Sequence, residues 1–275
     1  MLTSPIGIFD SGFGGLTIFR RIQDLLPQYD YIYLGDNART PYGHRSFETV
    51  LRFTSQGVRY LFGLGCPLVI IACNTASAKA LRTIQQQMLP KEYPERRVLG
   101  VIRPTVEAIH RFTRTNRVAL WATLGTIRSE SFSLEIAKYA PQVRLVPLAC
   151  PLLVPLIEAG ELEGPGVDYY IKKYWEETQR QADDIDTLLL GCTHYPLIRP
   201  RLEALLPRTV QIVSQGELVA PSLKDYLDRH PEMEARLSRR GGRRFLTTDH
   251  SDYFDGLART FLGQEIVSES VDIAT

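Results

Sequence analysis

Cys73 and Cys192 occupy matching settings in a chain of 275 residues. The first stands in LVIIACNTASAKALR (68–82) and the second in TLLLGCTHYPLIRP (187–200). Each follows an apolar run that ends in a small residue. Each precedes two residues with hydrogen-bonding side chains and then a stretch able to start a helix. A buried parallel strand that delivers a reactive group to the carboxyl end of a sheet has this pattern. The pattern occurs twice, 119 residues apart, so the chain reads as two similar α/β units contributing one thiol each. Two thiols on opposite sides of one substrate could transfer a proton at carbon, one removing it from one face while the other supplies it to the opposite face. A lone cysteine more often packs as a small hydrophobe; the polar neighbours and the second copy argue against that fate here. Cys66 in GLGCP and Cys150 in LACPL have apolar settings followed by proline and read as packing residues.

The neighbouring residues suit the same chemistry. Cys73 precedes Asn74 and Thr75 at a strand-to-helix junction, where peptide N–H groups lower a thiol's pKa and bind a carboxylate. Asn74 and Thr75 add side-chain donors for that anion. Thr193 and His194 follow Cys192, and a histidine there can hold a thiolate or pass a proton. The turn Asp10-Ser11-Gly12-Phe13-Gly14-Gly15 opens a helix but fits neither the dinucleotide nor the phosphate-loop spacing. It reads as a small-anion site with Asp10 and Ser11 directed into a cleft, Asp10 steering the proton of a nearby thiol; helix capping is its ordinary alternative. The loop GDNARTPYG (35–43) is long and polar for an α/β protein. It is either a binding loop, with Tyr42 and Gly43 offering a ring and backbone amides, or a surface turn.

The elements that must position these residues alternate along the chain. Strands are expected at Ile6–Phe9, Tyr29–Leu34, Leu68–Ala72, Val98–Ile102, Val118–Ala122, Val143–Pro147, Thr187–Leu190, Val210–Val213 and Phe245–Thr248, with helices between them. Such alternation predicts parallel sheets covered by helices on both faces. VALWATLGTIRSESF (118–132) also loosely mirrors IGIFDSGFGGLTIFR (6–20), 112 residues earlier. The fold class is therefore α/β, in two related lobes with the active site in the cleft between them. The first lobe is drawn as residues 1–98 with 212–275, carrying Cys73, and the second as 99–211, carrying Cys192. The strand at 98–102 opens the second series, and the strand at 210–213 begins the return.

Composition excludes several classes. A net charge of +1 gives no field favouring nucleic acid or an anionic membrane. The basic run at 239–244 reads as a solvated loop between a helix and a strand. The opening MLTSPIGIFDSG lacks the pattern of a signal peptide, and no apolar run approaches the ~18 residues that span a bilayer. Four cysteines without CxxC spacing fit free thiols in a reducing cytoplasm. The same spacing argues against a thiol–disulfide oxidoreductase, and no clustered ligands suggest zinc.

The segments IGIFDSGFGGLT, YLGDNARTPYG, IIACNTASA, GVIRP, ACPLLVPLIEAG and LLGCTHYPLI resemble, in order from residue 6 to about residue 200, the signature blocks of the bacterial glutamate racemases. These belong to the cofactor-independent aspartate/glutamate racemase superfamily. The resemblance implies two pseudo-symmetric lobes enclosing a small-molecule substrate, glutamate, with no cofactor and no metal. Cys73 and Cys192 match the catalytic cysteines. Asp10 with Ser11, Tyr42 with Gly43, Asn74 with Thr75, and Thr193 with His194 match substrate-contacting pairs, Asp10 and His194 also assisting catalysis. Asp36 and Glu158 match acidic positions that assist proton transfer. Two departures, Arg103 after GVI and Trp121 before ATLGT, leave the pocket shape open. The implied role is supply of D-glutamate for peptidoglycan synthesis in the cytoplasm, without nucleic-acid or membrane partners; a homodimer stays open. An aspartate racemase is the alternative within the superfamily, since one methylene is worth only ~1–3 kcal/mol. A non-catalytic two-lobed binding protein would need no paired thiols.

Overall fold

Apolar runs of four to six residues become strands where helices can cover both faces, and that accounts for the layout of the computed structural model, which describes residues 4–273. Its strands are β1 (Ile6–Asp10), β2 (Tyr31–Gly35), β3 (Leu68–Ile71), β4 (Arg97–Gly100), β5 (Arg117–Ala122), β6 (Arg144–Ala149), β7 (Thr187–Gly191), β8 (Gln211–Ser214), β9 (Arg243–Thr247) and β10 (Ser268–Ser270). They form a six-stranded sheet, β10-β9-β2-β1-β3-β4, and a four-stranded sheet, β6-β5-β7-β8. Every pairing is parallel. The central strands β1, β2, β3 and β7 are buried along their whole length. The expected fold class is the observed one: α/β, with two parallel sheets flanked by helices.

Two strands fall in different sheets from those expected. β4 does not open the second series; it pairs with β3 at the edge of the first sheet. β8 does not begin the return; it pairs with β7 at the edge of the second. Apolar pattern identifies a strand, but an edge strand beside a crossover carries no mark of the sheet it will join. The chain therefore crosses at Val101 and crosses back at Gln215. The ends of the expected first lobe, residues 1–3 and 274–275, lie outside the described residues. β10 was not anticipated, its Ser-Glu-Ser sequence carrying no strand signal.

One buried cluster joins the halves. It includes Ile18, Phe19 and Ile22 of the helix Leu16–Leu25, Val219 and Leu223 of the helix Gly216–Arg229, and Leu190 of β7. The basic run is only partly a loop. Arg243 and Arg244 belong to β9, Arg243 lying 4.7 Å over the Tyr31 ring and Arg244 pairing with Glu269 at 2.7 Å. Asp30 fastens the residues before them by accepting from the Gly242 amide at 2.6 Å. Among the described residues, no helix is long and apolar enough to cross a membrane.

Candidate active site

Parallel register carries both thiols to the same kind of place. The register that sets Phe9 against Ile71 brings Ser11 beside Cys73, and that which sets Ala122 against Gly191 brings Thr123 beside Cys192. Both cysteines thus leave the carboxyl end of a central strand, each in its own sheet. Between these ends lies a cavity of about 30 Å³ lined by Ser11, Thr40–Gly43, Cys73, Asn74, Thr75, Thr123, Val154, Glu158, Cys192, Thr193 and His194. That volume holds about one water.

Cys73 is itself the cap of the helix that follows. The helix starts at Asn74, and the Cys73 Sγ accepts from the Ala76 amide at 3.4 Å and from the Ser11 hydroxyl at 3.4 Å. Burial nevertheless pushes its thiol up to about 12, and the nearby charge of Asp10 adds to that rise; the two hydrogen bonds only partly oppose it. The lowered thiol pKa expected at a helix N-terminus is therefore overturned by desolvation.

Cys192 faces a cation. Its Sγ is 3.9 Å from Nδ1 of His194, whose Nε2 is 2.9 Å from Oε1 of Glu158. Burial pulls the imidazole pKa down, but the hydrogen bonds and charges of Cys192 and Glu158 outweigh it and raise the pKa to about 10. His194 is thus an imidazolium at neutral pH, set between the Cys192 sulfur and the Glu158 carboxylate. Asp10 lies behind the lining, fully buried. Its Oδ1 accepts from the Gly12 amide at 2.9 Å and its Oδ2 has no partner. Burial raises its pKa, with the His194 charge and the Gly15 and Gly12 amides working against that.

Asp36 also stands off the cavity. It accepts from the Tyr42 hydroxyl, from Nε of Arg39 at 2.8 Å and from the Thr248 hydroxyl at 2.9 Å. Its geometry is that of an anchor for the loop 35–43, which contains a cis Thr40–Pro41 bond. Burial and the Asp36 carboxylate together drive the Tyr42 phenol pKa far upward. Hydrogen bonds also link the halves around the cavity. Thr75 and Thr123 hydroxyls meet at 2.8 Å, the Gly125 amide donates to the Gly43 carbonyl at 2.9 Å, and the Thr17 hydroxyl donates to the Thr193 carbonyl at 2.8 Å.

The structure thus brings together Ser11, Tyr42, Gly43, Asn74, Thr75, Glu158, Thr193, His194 and both cysteines, and leaves Asp10 and Asp36 behind them. Sequence reasoning missed Thr123, Val154, Thr40 and Pro41. The internal mirror could have found Thr123, since a spacing of 112 makes it the counterpart of Ser11. The two departures lie away from the cavity. Trp121 is a core residue whose Nε1 donates to Thr178 at 2.9 Å. Arg103 pairs on the surface with Glu107 at 2.8 Å and lies 4.4 Å over the Tyr139 ring. Cys66 and Cys150 are buried free thiols, as expected. Among the described residues, no three His, Cys, Asp or Glu side chains group to hold a metal.

Gly14 shows how tightly the halves meet. A Cβ there would lie 2.2 Å from the Thr193 hydroxyl and 2.5 Å from Nδ1 of His194. Gly14→Ala is expected to cost about 1–3 kcal/mol of stability in denaturant unfolding. It should also lower kcat/KM about 10²-fold, because His194 must shift. Unchanged kinetics would mean that the turn yields without moving His194.

A family model described as Asp/Glu/Hydantoin racemase matches residues 15–220. The glutamate racemase of Paracoccus denitrificans is 40% identical over 275 residues, covering 96% of this chain and 99% of that one. Among solved structures, a glutamate racemase isoform of Bacillus anthracis superposes with a TM-score of 0.88 at 32% identity, covering 99% of this chain and 98% of that one. The Francisella tularensis glutamate racemase in complex with D-glutamate gives 0.86 at 33% identity, with the same coverage.

Proposed function

Because the chain belongs to the Asp/Glu/hydantoin racemase family, we propose that it interconverts L- and D-glutamate by proton transfer at Cα between Cys73 and Cys192. It is an isomerase, an amino-acid racemase. The observation that carries the mechanism is that two thiols, each from a central strand of a different sheet, line one small cavity. The choice of glutamate is supported by relatives that align over nearly the whole chain.

For L-glutamate, the Cys192 thiolate takes the Cα proton. The electron pair of the broken C–H bond passes into the adjacent carboxylate, and the Cys73 thiol delivers its proton to the opposite face. D-Glutamate leaves with Cys73 as the thiolate; the reverse reaction exchanges the roles. Charge accumulating on the carboxylate is met by fixed donors lining the cavity, the hydroxyls of Thr75 and Thr193. The His194 imidazolium balances the Cys192 thiolate. Asp10 and Glu158 act through Cys73 and His194, and Asp36 acts through Tyr42. No step in this route calls on a cofactor. The D-glutamate formed supplies peptidoglycan synthesis.

Circular dichroism of the purified protein with L-glutamate, and separately with L-aspartate, tests the reading without added cofactor. The glutamate signal should decay to zero and the aspartate signal should persist. The opposite preference makes the chain an aspartate racemase. No decay with either overturns the assignment.

A further inference from the structure

Gln215 lies at the second crossing between the sheets, directly after β8, and is 1% exposed. The proton transfer has no use for it, yet its neighbours dictate which way its amide points. Thr105 spends its hydroxyl proton on the Val101 carbonyl, 2.7 Å away, so toward Gln215 it offers lone pairs alone. The Val101 carbonyl likewise only accepts. Gln215 must therefore turn its NH₂ to this side, and Nε2 stands 3.0 Å from the Thr105 hydroxyl and 3.5 Å from the Val101 carbonyl. That leaves Oε1 for Asn74, whose Nδ2 donates to it over 2.5 Å. Asn74 lines the cavity, and the remaining end of its amide, Oδ1, is buried without a partner.

We propose that Gln215, held by Thr105 and Val101, is a positioning residue that fixes the Asn74 amide with its oxygen as the free end, an acceptor for the ammonium group of an amino-acid substrate. The inference rests on the racemase reading above. It differs from the expectation that Asn74 donates to an anion. The two ends of an amide differ little in shape, so an unrestrained asparagine could turn over and present NH₂ to the ammonium. The polarity of the cavity at Asn74 is thus set by a backbone carbonyl at one crossing and transmitted through a side chain at the other.

Two variants test this, Gln215→Leu and the milder Thr105→Val, with KM and kcat for L-glutamate measured beside the inhibition constant of glutarate. Glutarate keeps both carboxylates and lacks the amine. In Gln215→Leu, KM should rise about tenfold, the loss of one charge-assisted hydrogen bond, with kcat within threefold and glutarate inhibition within twofold. Thr105→Val should move the same way by less. A parallel weakening of glutamate and glutarate would reduce Gln215 to a packing role and overturn the proposal, as would unchanged KM in both variants. If Gln215→Leu does not fold, Thr105→Val decides alone. Wild-type protein that binds glutamate but does not racemise it refutes the activity and not the relay, which calorimetry with glutamate and glutarate then decides by the same criterion.

Discussion

Alanine at either Cys73 or Cys192 is expected to lower kcat/KM for racemisation about 10³-fold or more in both directions. In the proposed route each thiol serves one face, so the other cannot stand in for it, and loss of a single acid–base group typically removes 10²–10⁴-fold. Stability should change little, because alanine is among the smallest possible truncations of a buried cysteine and leaves a cavity of one atom. The pair also predicts an isotope pattern. In deuterium oxide, product formed early should carry deuterium at Cα while unreacted substrate remains protonated, since the proton removed and the proton supplied belong to different sulfurs. Either variant retaining more than a tenth of wild-type activity would refute the two-thiol assignment. So would early deuterium in the remaining substrate at the level of the product.

His194→Asn should produce the next largest loss, about 10²–10³-fold in kcat/KM. The imidazolium lies between the Cys192 sulfur and the Glu158 carboxylate, and in the proposed route it balances charge on one side of the substrate only. Enantiomers have an equilibrium constant of one, so kcat/KM must fall equally in the two directions. The separate kcat values need not, and their ratio should change. Titration gives a second readout. The folded-state pKa, about 10, lies above the ordinary histidine value of 6.5. Stability contributed by protonated His194 is therefore complete below pH 6.5 and is lost as pH rises through about 10. Wild-type stability should decline over that alkaline window relative to the variant, as measured by denaturant unfolding at a series of pH values. Unchanged kcat in both directions would make His194 a structural residue.

How far the sequence could be read differs from residue to residue. The strand–cysteine–polar–helix pattern at residues 68–82 and 187–200 located the thiols, because a buried parallel strand is apolar along its length and stops at the cavity. The helix start at Asn74 carries no mark in the sequence, since Cys73 has no side-chain oxygen to advertise a cap. β4 and β8 were legible as strands but not by sheet, because edge pairing is settled by tertiary contacts at the crossovers. Asp36 was legible as an acidic position only through the resemblance, and the convergence of Tyr42, Arg39 and Thr248 upon it, which ties it to the loop, needs the fold. Asn74 was found by position, but its polarity depends on Thr105 and Gln215, which are distant in sequence.

The high pKa of Cys73 has a bearing on chemical durability. Peroxides and alkylating agents attack thiolates, and a neutral thiol is nearly inert to them. With its value held near 12 by burial beside Asp10, Cys73 spends almost all of its time at neutral pH as S–H, in a cavity with room for one water. In the proposed route this sulfur exchanges protons in every turnover, and its neutral form shields it from sulfenic acid formation between turnovers.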